Sequence, residues 1–289
     1  MELAQTRRAV AAAASVATAL DLPVDDVVVL NNSNRLVVRL TPSDTVARVT
    51  PSAHHAGHQM SPEREVEIAI RLADTDSPVA LLDPRVEPQT RRRDGFTITL
   101  WAYYEPRRPA PIAPDDYASA LGRLHAGLRQ IELPAPHALD RVAAVQHDVA
   151  DRAATPDLAD TDRTFLAETL RELTRSVVDR RRPEQLLHGE PHPGNVLRAG
   201  GGLLFTDFEN TAHGPLEYDL GWVPRAVTDR CQDADQDLVD TCRGLVLAMV
   251  TAYRWRRDDQ HPSGRRSGLA FLNALRNGPP WPALDDVTW

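Results

Sequence analysis

Four prolines within nine residues, Pro106, Pro109, Pro111 and Pro114, cut the chain into two parts of different character. Proline fixes φ and lacks a backbone donor, so neither a helix nor a central strand runs through such a stretch. Ahead of it, Val27–Leu30 and Leu36–Leu40 are apolar runs around the cluster Asn31-Asn32-Ser33-Asn34, which predicts a hairpin. Thr45–Val49 predicts a third strand, and Phe96–Tyr104 another, with Thr97, Thr99 and Trp101 alternating with Ile98 and Leu100. Between them lie a polar loop, Pro51–Met60, and a helix, Pro62–Ala73, with Val66, Ile70 and Ala73 at helical spacing and Pro62 in its first turn. Beyond the prolines the pattern turns helical: Tyr117, Leu121, Leu124 and Leu128 mark one apolar face, and Ala138–Ala153, Thr161–Arg181, Asp235–Arg257 and Ser267–Arg276 read as further helices. Short strands interrupt them at Leu186–Leu187, Val196–Arg198 and Leu203–Thr206. The expected fold class is α+β, with a small antiparallel-sheet lobe over 1–104 and a mainly helical lobe over 105–289.

Composition narrows the function. The 289 residues contain no lysine; all 33 basic residues are arginine. That excludes Schiff-base chemistry, pyridoxal phosphate enzymes and the Gly-Lys-Ser/Thr phosphate loop. A net charge of −8 argues against nucleic acid or an anionic membrane as partner and leaves room for a cationic small molecule. Two cysteines, Cys231 and Cys242, are too few for a disulfide framework, and the alanine-rich run Ala9–Leu20 reads as a helix rather than a signal peptide. The chain is expected to be cytoplasmic. The acids Asp229, Asp233, Asp235, Asp237 and Asp240 surround a helix start, where they serve its dipole or draw a cationic substrate.

The chemistry concentrates between His188 and Glu209. The stretch reads His188-Gly189-Glu190-Pro191-His192-Pro193-Gly194-Asn195, and later Asp207-Phe208-Glu209. Carboxylates in a loop between short strands are costly unless a metal or a reaction uses them. A carboxylate followed five positions later by asparagine is the spacing of a phosphotransfer loop, where the acid accepts the substrate hydroxyl proton and asparagine holds Mg²⁺. Asn195 and Asp207 are hard oxygen donors suited to that ion.

These residues resemble the aminoglycoside phosphotransferase family of small-molecule kinases, whose signature is His-Gly-Asp-x-His-x-x-Asn followed by Asp-x-Asp/Glu. Leu121-Gly122-Arg123-Leu124-His125-Ala126 and Gly214-Pro215-Leu216-Glu217-Tyr218-Asp219-Leu220 extend the resemblance over nearly the whole chain. It implies a bilobal protein-kinase-like fold, ATP or GTP with Mg²⁺, and transfer of a γ-phosphoryl to a small-molecule hydroxyl. Acceptors in the family include aminoglycosides, macrolides, choline, homoserine and sugars, so antibiotic resistance is one implied role. It implies Glu190 as catalytic base, Asn195 and Asp207 as metal ligands, and Glu209 near metal or substrate. It also implies Asp219 as the brace of the loop, with His188 and His192 as loop supports. In the small lobe, Arg48 in Val46-Ala47-Arg48-Val49 would grip phosphates, with Glu65 as its helix partner. The Asn31–Asn34 loop, with Ser33 and Asn34, would cover them. Trp101 to Tyr104, Tyr103 included, would offer backbone groups to adenine.

The chain departs from the family pattern in three ways. Glu190 stands for the usual aspartate, Arg48 for the usual lysine, and the phosphate loop has no glycine. The first two keep open a non-catalytic, pseudokinase-like nucleotide-binding module. A third reading, a zinc hydrolase using His188, Glu190 and His192, lacks the helix-face spacing of such sites.

Overall fold

The computed structural model describes residues 1–32, 35–52, 61–105, 111–259, 261 and 263–288. Ser33 and Asn34, most of the polar loop and the core of the proline stretch lie outside the described residues. The chain divides into two compact units, Met1–Ala110 with Val196–Glu209, and Pro111–Asn195 with Asn210–Trp289.

The first unit opens with helix α1 (Leu3–Thr18), followed by strands β1 (Val24–Asn32), β2 (Leu36–Pro42) and β3 (Thr45–Pro51). Helix α2 (Pro62–Ala73) intervenes before β4 (Arg91–Arg93) and β5 (Phe96–Ala102). The five strands form one antiparallel sheet in the order β1-β2-β3-β5-β4. Small residues at helical spacing, Ala9, Ala12, Ala13, Val16 and Ala17, let α1 lie close against the sheet. That face takes Leu36, Val38 and Leu40 of β2, Ala47 and Val49 of β3, and Phe96, Ile98 and Leu100 of β5. The alternate residues therefore point to the opposite face, where Val37, Arg48 and Thr99 lie side by side in register. Helix α2 starts with Pro62 at its first turn, carries Glu63 and Glu65 where the dipole favours acids, and ends near Arg71.

In the second unit, α3 (Pro114–Leu128), α4 (Ala138–Ala150) and α5 (Asp160–Asp179) lead to β6 (Glu184–Leu187). The chain then returns to the first unit as the hairpin β7 (Val196–Ala199) and β8 (Gly202–Phe205). Phe205 holds it there, exchanging backbone bonds with Pro78 O at 2.7 Å and Ala80 N at 2.9 Å. A division at 104/105 does not anticipate this return. The rest of the second unit is β9 (Ala212–Pro215), paired with β6, then α6 (Leu216–Leu220), α7 (Arg225–Thr228), α8 (Gln236–Tyr253) and α9 (Gly264–Arg276). Helix α8 is polar in its first turns and almost wholly apolar from Gly244 on, and it is buried along most of its length among α4, α5, α6 and α9. Neither β4, an all-arginine strand, nor β9, built on Ala-His-Gly-Pro, carries an alternating apolar pattern. Tertiary pairing makes both into strands.

Candidate active site

The first unit gathers five charged groups. Arg48, on the face opposite α1, forms an ion pair with Glu65 Oε1, and its guanidinium lies 4.3 Å from the centre of the Trp101 ring. A planar guanidinium stacks on an aromatic face as an ammonium does not, which gives a local reason for arginine at a lysine position. Glu65 is buried in the first turn of α2, and its Oε2 accepts from Arg35 Nη1 at 2.8 Å. Burial by itself would raise the Glu65 carboxyl; Arg35 and Arg48 outweigh it and hold the group below its ordinary value. Arg35 Nη2 in turn meets Asp207 Oδ1 and, at 2.7 Å, Glu209 Oε2. Burial pulls the Arg35 guanidinium down, and its three carboxylates more than offset this, so it is raised. Asp207 has φ 70°, a left-handed conformation that costs a non-glycine residue about 1 kcal/mol or more and is kept where function needs the resulting aim.

Asp207 and Glu209 thus direct one carboxylate oxygen each at a single positive nitrogen. An oxygen-only, doubly negative donor pair converging on one cation fits a hard divalent ion. Among the described residues no group of three or more His, Cys, Asp or Glu is placed to hold a metal.

At the end of β5, Trp101 is buried and its indole N–H donates to Thr99 Oγ1 at 2.8 Å. The Tyr103 backbone N–H donates to Asp44 O at 3.2 Å, and its ring stacks 3.8 Å from the Arg39 guanidinium. That N–H is committed within the unit, so the adenine expectation at Tyr103 narrows to its carbonyl and to the residues after it.

In the second unit, β6 delivers the chain into the loop His188–Asn195. Asp219, fully buried on α6, accepts from Gly189 N at 2.8 Å and His188 N at 2.9 Å, and pairs with His125 Nε2 at 2.9 Å. His188 Nδ1 accepts from Glu190 N at 3.3 Å, and His192 Nδ1 from Gly194 N at 3.0 Å. Both histidines therefore support the loop. Asn195 Nδ2 closes it by donating to Glu190 O at 2.9 Å. The Glu190 carboxylate is one-fifth exposed. Its Oε2 accepts from Asn210 Nδ2 at 2.8 Å and lies 3.0 Å from Arg141 Nη1, while Oε1 faces His192 Nε2 at 3.7 Å. One oxygen is thus anchored by Asn210 beside Arg141, and the other is turned toward His192. Arg141 comes from α4, is held by Tyr253 OH at 2.9 Å, and lies over the Trp222 ring at 5.2 Å. Burial opposes its charge, but Tyr253 and Glu190 keep it raised.

Residues 25–257 match the model of the phosphotransferase enzyme family. The chain belongs to this family. No curated protein matches it. Solved structures share the fold: the amicoumacin kinase hAmiN, TM-score 0.68 at 13% identity, covers 93% of this chain and 95% of its own. Wild-type aminoglycoside 2'-phosphotransferase-IIIa, solved with GDP, gives 0.67 at 17%, covering 95% and 98%. Choline kinase LicA from Streptococcus pneumoniae gives 0.61 at 12%, covering 92% and 96%. Family membership sets the zinc-hydrolase reading aside.

Arg35, Arg141 and Asn210 were not singled out in the sequence. Arg35 directly follows the Asn/Ser cluster and Asn210 directly follows Glu209, so adjacency was a signal for both; Arg141 offers none. Within the acidic stretch, Asp235 caps α8 through Leu238 N at 3.1 Å, and Asp240 pairs with Arg225 at 2.6 Å.

Gly189 has φ +86°, and a Cβ there would lie 1.8 Å from the Asn210 carbonyl oxygen. Gly189→Ala must therefore push Asn210 away from Glu190. The expected result is a folded protein that has lost about 10²-fold or more in turnover through misplacement of the carboxylate; turnover of purified variant against wild type, with circular dichroism as the fold control, checks it.

Proposed function

We infer that the chain is a cytoplasmic ATP- or GTP-dependent kinase that transfers the γ-phosphoryl group to a hydroxyl of a small, preferably cationic molecule, with aminoglycoside-type antibiotics the first acceptors to test. The observation that carries this reading is the buried Arg48–Glu65 pair, on a strand face and a helix turn of the unit that also holds Asp207 and Glu209. It is the arrangement by which a kinase fixes a phosphate-gripping cation. The net charge of −8 favours a cationic acceptor, and the unpaired thiols Cys231 and Cys242 suit a reducing compartment. No helix among the described residues is long and apolar enough to cross a membrane.

In this reading Arg48 binds the nucleotide phosphates and Glu65 holds its fork in place. The Tyr103 carbonyl, with Tyr104 and Glu105 after it, carries the backbone groups for the base. Asp207 would hold Mg²⁺ with Glu209 beside it, and Asn195 is the second ligand that the family pattern implies; when bound, the ion would neutralise charge developing on the transferred group. Glu190 receives the acceptor's proton on Oε1 while Asn210 and Arg141 keep Oε2 in place. Glutamate rather than aspartate suits this loop, because the longer side chain is what reaches both anchors.

Mg²⁺ with ATP or GTP should raise the melting temperature by on the order of 5–10 °C at about 100-fold excess over Kd. Arg48→Ala should abolish most of that shift and cost about 10²-fold in kcat/KM. It should stay folded, because Arg35 remains to pair with Glu65. A variant that binds and turns over nucleotide like wild type would make Arg48 a bystander. A wild type that shifts with nucleotide but turns over no acceptor would be the pseudokinase-like module instead.

A further inference from the structure

We propose that Arg35 is a built-in counter-cation of the metal site: it holds Asp207 and Glu209 until a divalent ion arrives, and on release turns to the nucleotide's terminal phosphates, so that metal and nucleotide bind cooperatively. The proposal rests on the kinase reading above and assigns a residue that reading does not use.

Three observations carry it. First, one nitrogen, Arg35 Nη2, serves both Asp207 and Glu209, while Nη1 serves Glu65, and the side chain is only 10% exposed. Two carboxylates aimed at one point repel unless a positive charge sits there. Arg35 supplies that charge, at the point where a divalent ion would be held. Second, Glu65 does not depend on Arg35, because Arg48 holds its other oxygen. Arg35 can leave without stranding a buried carboxylate.

Third, a divalent ion held by Asp207 and Glu209 would take two of the three anions that Arg35 meets. A guanidinium so buried then needs a new anion with paired oxygens, and phosphate supplies that geometry. Arg35 directly precedes β2, and it shares the Glu65 carboxylate with Arg48, one guanidinium on each oxygen. It is thus placed beside the cation already assigned to phosphate.

The test is direct metal binding, read as free Mn²⁺ by electron paramagnetic resonance, with the full chain alone and then with a non-hydrolysable ATP analogue, the analogue's own uptake of Mn²⁺ being measured without protein and subtracted. Wild type should bind Mn²⁺ weakly alone and about 5–150-fold more tightly with nucleotide, the usual range for coupled sites. Arg35→Gln removes the competitor, so it should bind Mn²⁺ alone about 10-fold more tightly than wild type and lose most of the coupling. Arg35→Lys, a cation without the fork, should fall between the two. It also carries the test if the glutamine variant does not fold. A purely structural arginine predicts the opposite sign: a less stable protein with metal affinity unchanged or weaker. Equal or weaker Mn²⁺ affinity in the folded variants overturns the proposal and leaves the kinase reading standing. A wild type that takes up no Mn²⁺ even with nucleotide overturns both.

Discussion

Glu190→Gln is expected to lose about 10²–10⁴-fold in kcat, the usual cost of removing a general base, while nucleotide affinity stays close to wild type. The amide keeps the shape and can still meet Asn210, so the loop should survive. What disappears is the acceptor on Oε1, the oxygen that neither Asn210 nor Arg141 occupies. Nucleotide binding is assigned to Arg48 and its partners in the other unit, which is why Kd should not follow kcat. Glu190→Asp separates two histories of this residue. Aspartate withdraws the carboxylate by about 1.5 Å, one carbon–carbon bond. From there it loses the bond to Asn210 at 2.8 Å and the contact with Arg141 at 3.0 Å. The variant should be slower than wild type yet faster than Glu190→Gln, since misplacing a catalytic group is less costly than deleting it. An aspartate variant faster than wild type would mean that Glu190 is a weakened base in a loop built for aspartate. Full activity of Glu190→Gln would remove Glu190 from the reaction.

Asp219→Ala should be the most destabilising change in the second unit. The carboxylate is fully buried and accepts from two backbone N–H groups and from His125, at 2.8–2.9 Å. Alanine strands both backbone donors away from water, at about 1–3 kcal/mol each, and leaves the buried His125 without its partner. A total near 3–5 kcal/mol is a large share of the 5–15 kcal/mol typical of a folded domain. Urea unfolding of the variant should show that loss, with whatever folds being inactive because His188 and Gly189 no longer hold the loop. A loss under about 1 kcal/mol would show that Asp219 is not the brace. Asp219→Asn, which keeps one acceptor oxygen, should lie between.

The two kinds of lobe, the helix Pro62–Ala73 and the loop from His188 to Asn195 are legible in the sequence, because each has a local signature. Proline and acids open that helix, and the loop's residue types stand at fixed spacings. What tertiary contact alone decides has no such signature. Strand β9 pairs through Ala-His-Gly-Pro, which has no strand pattern, and β7–β8 joins the first unit through Pro78, Ala80 and Phe205. At the site, Arg48 and Glu65 are legible through the resemblance of Val46-Ala47-Arg48-Val49 and the helix after it to the family. Arg35 and Arg141 are not, since an arginine among 33 carries no mark of the carboxylates it will meet. Glutamate for aspartate at 190 leaves two readings open in the sequence, and the contacts of its carboxylate with Asn210 and Arg141 are visible only in the fold. The acidic run near α8, open to two readings, is occupied largely by capping and ion pairs.

Phosphoryl transfer can be read with γ-³²P-labelled ATP and GTP and Mg²⁺ against a panel of hydroxyl compounds: aminoglycosides, macrolides, choline, amino alcohols and sugars. The expected result is a labelled acceptor in at least one class, its formation lost in Glu190→Gln. Binding of nucleotide with no labelled product in any class, or label transfer that Glu190→Gln leaves intact, would contradict the account.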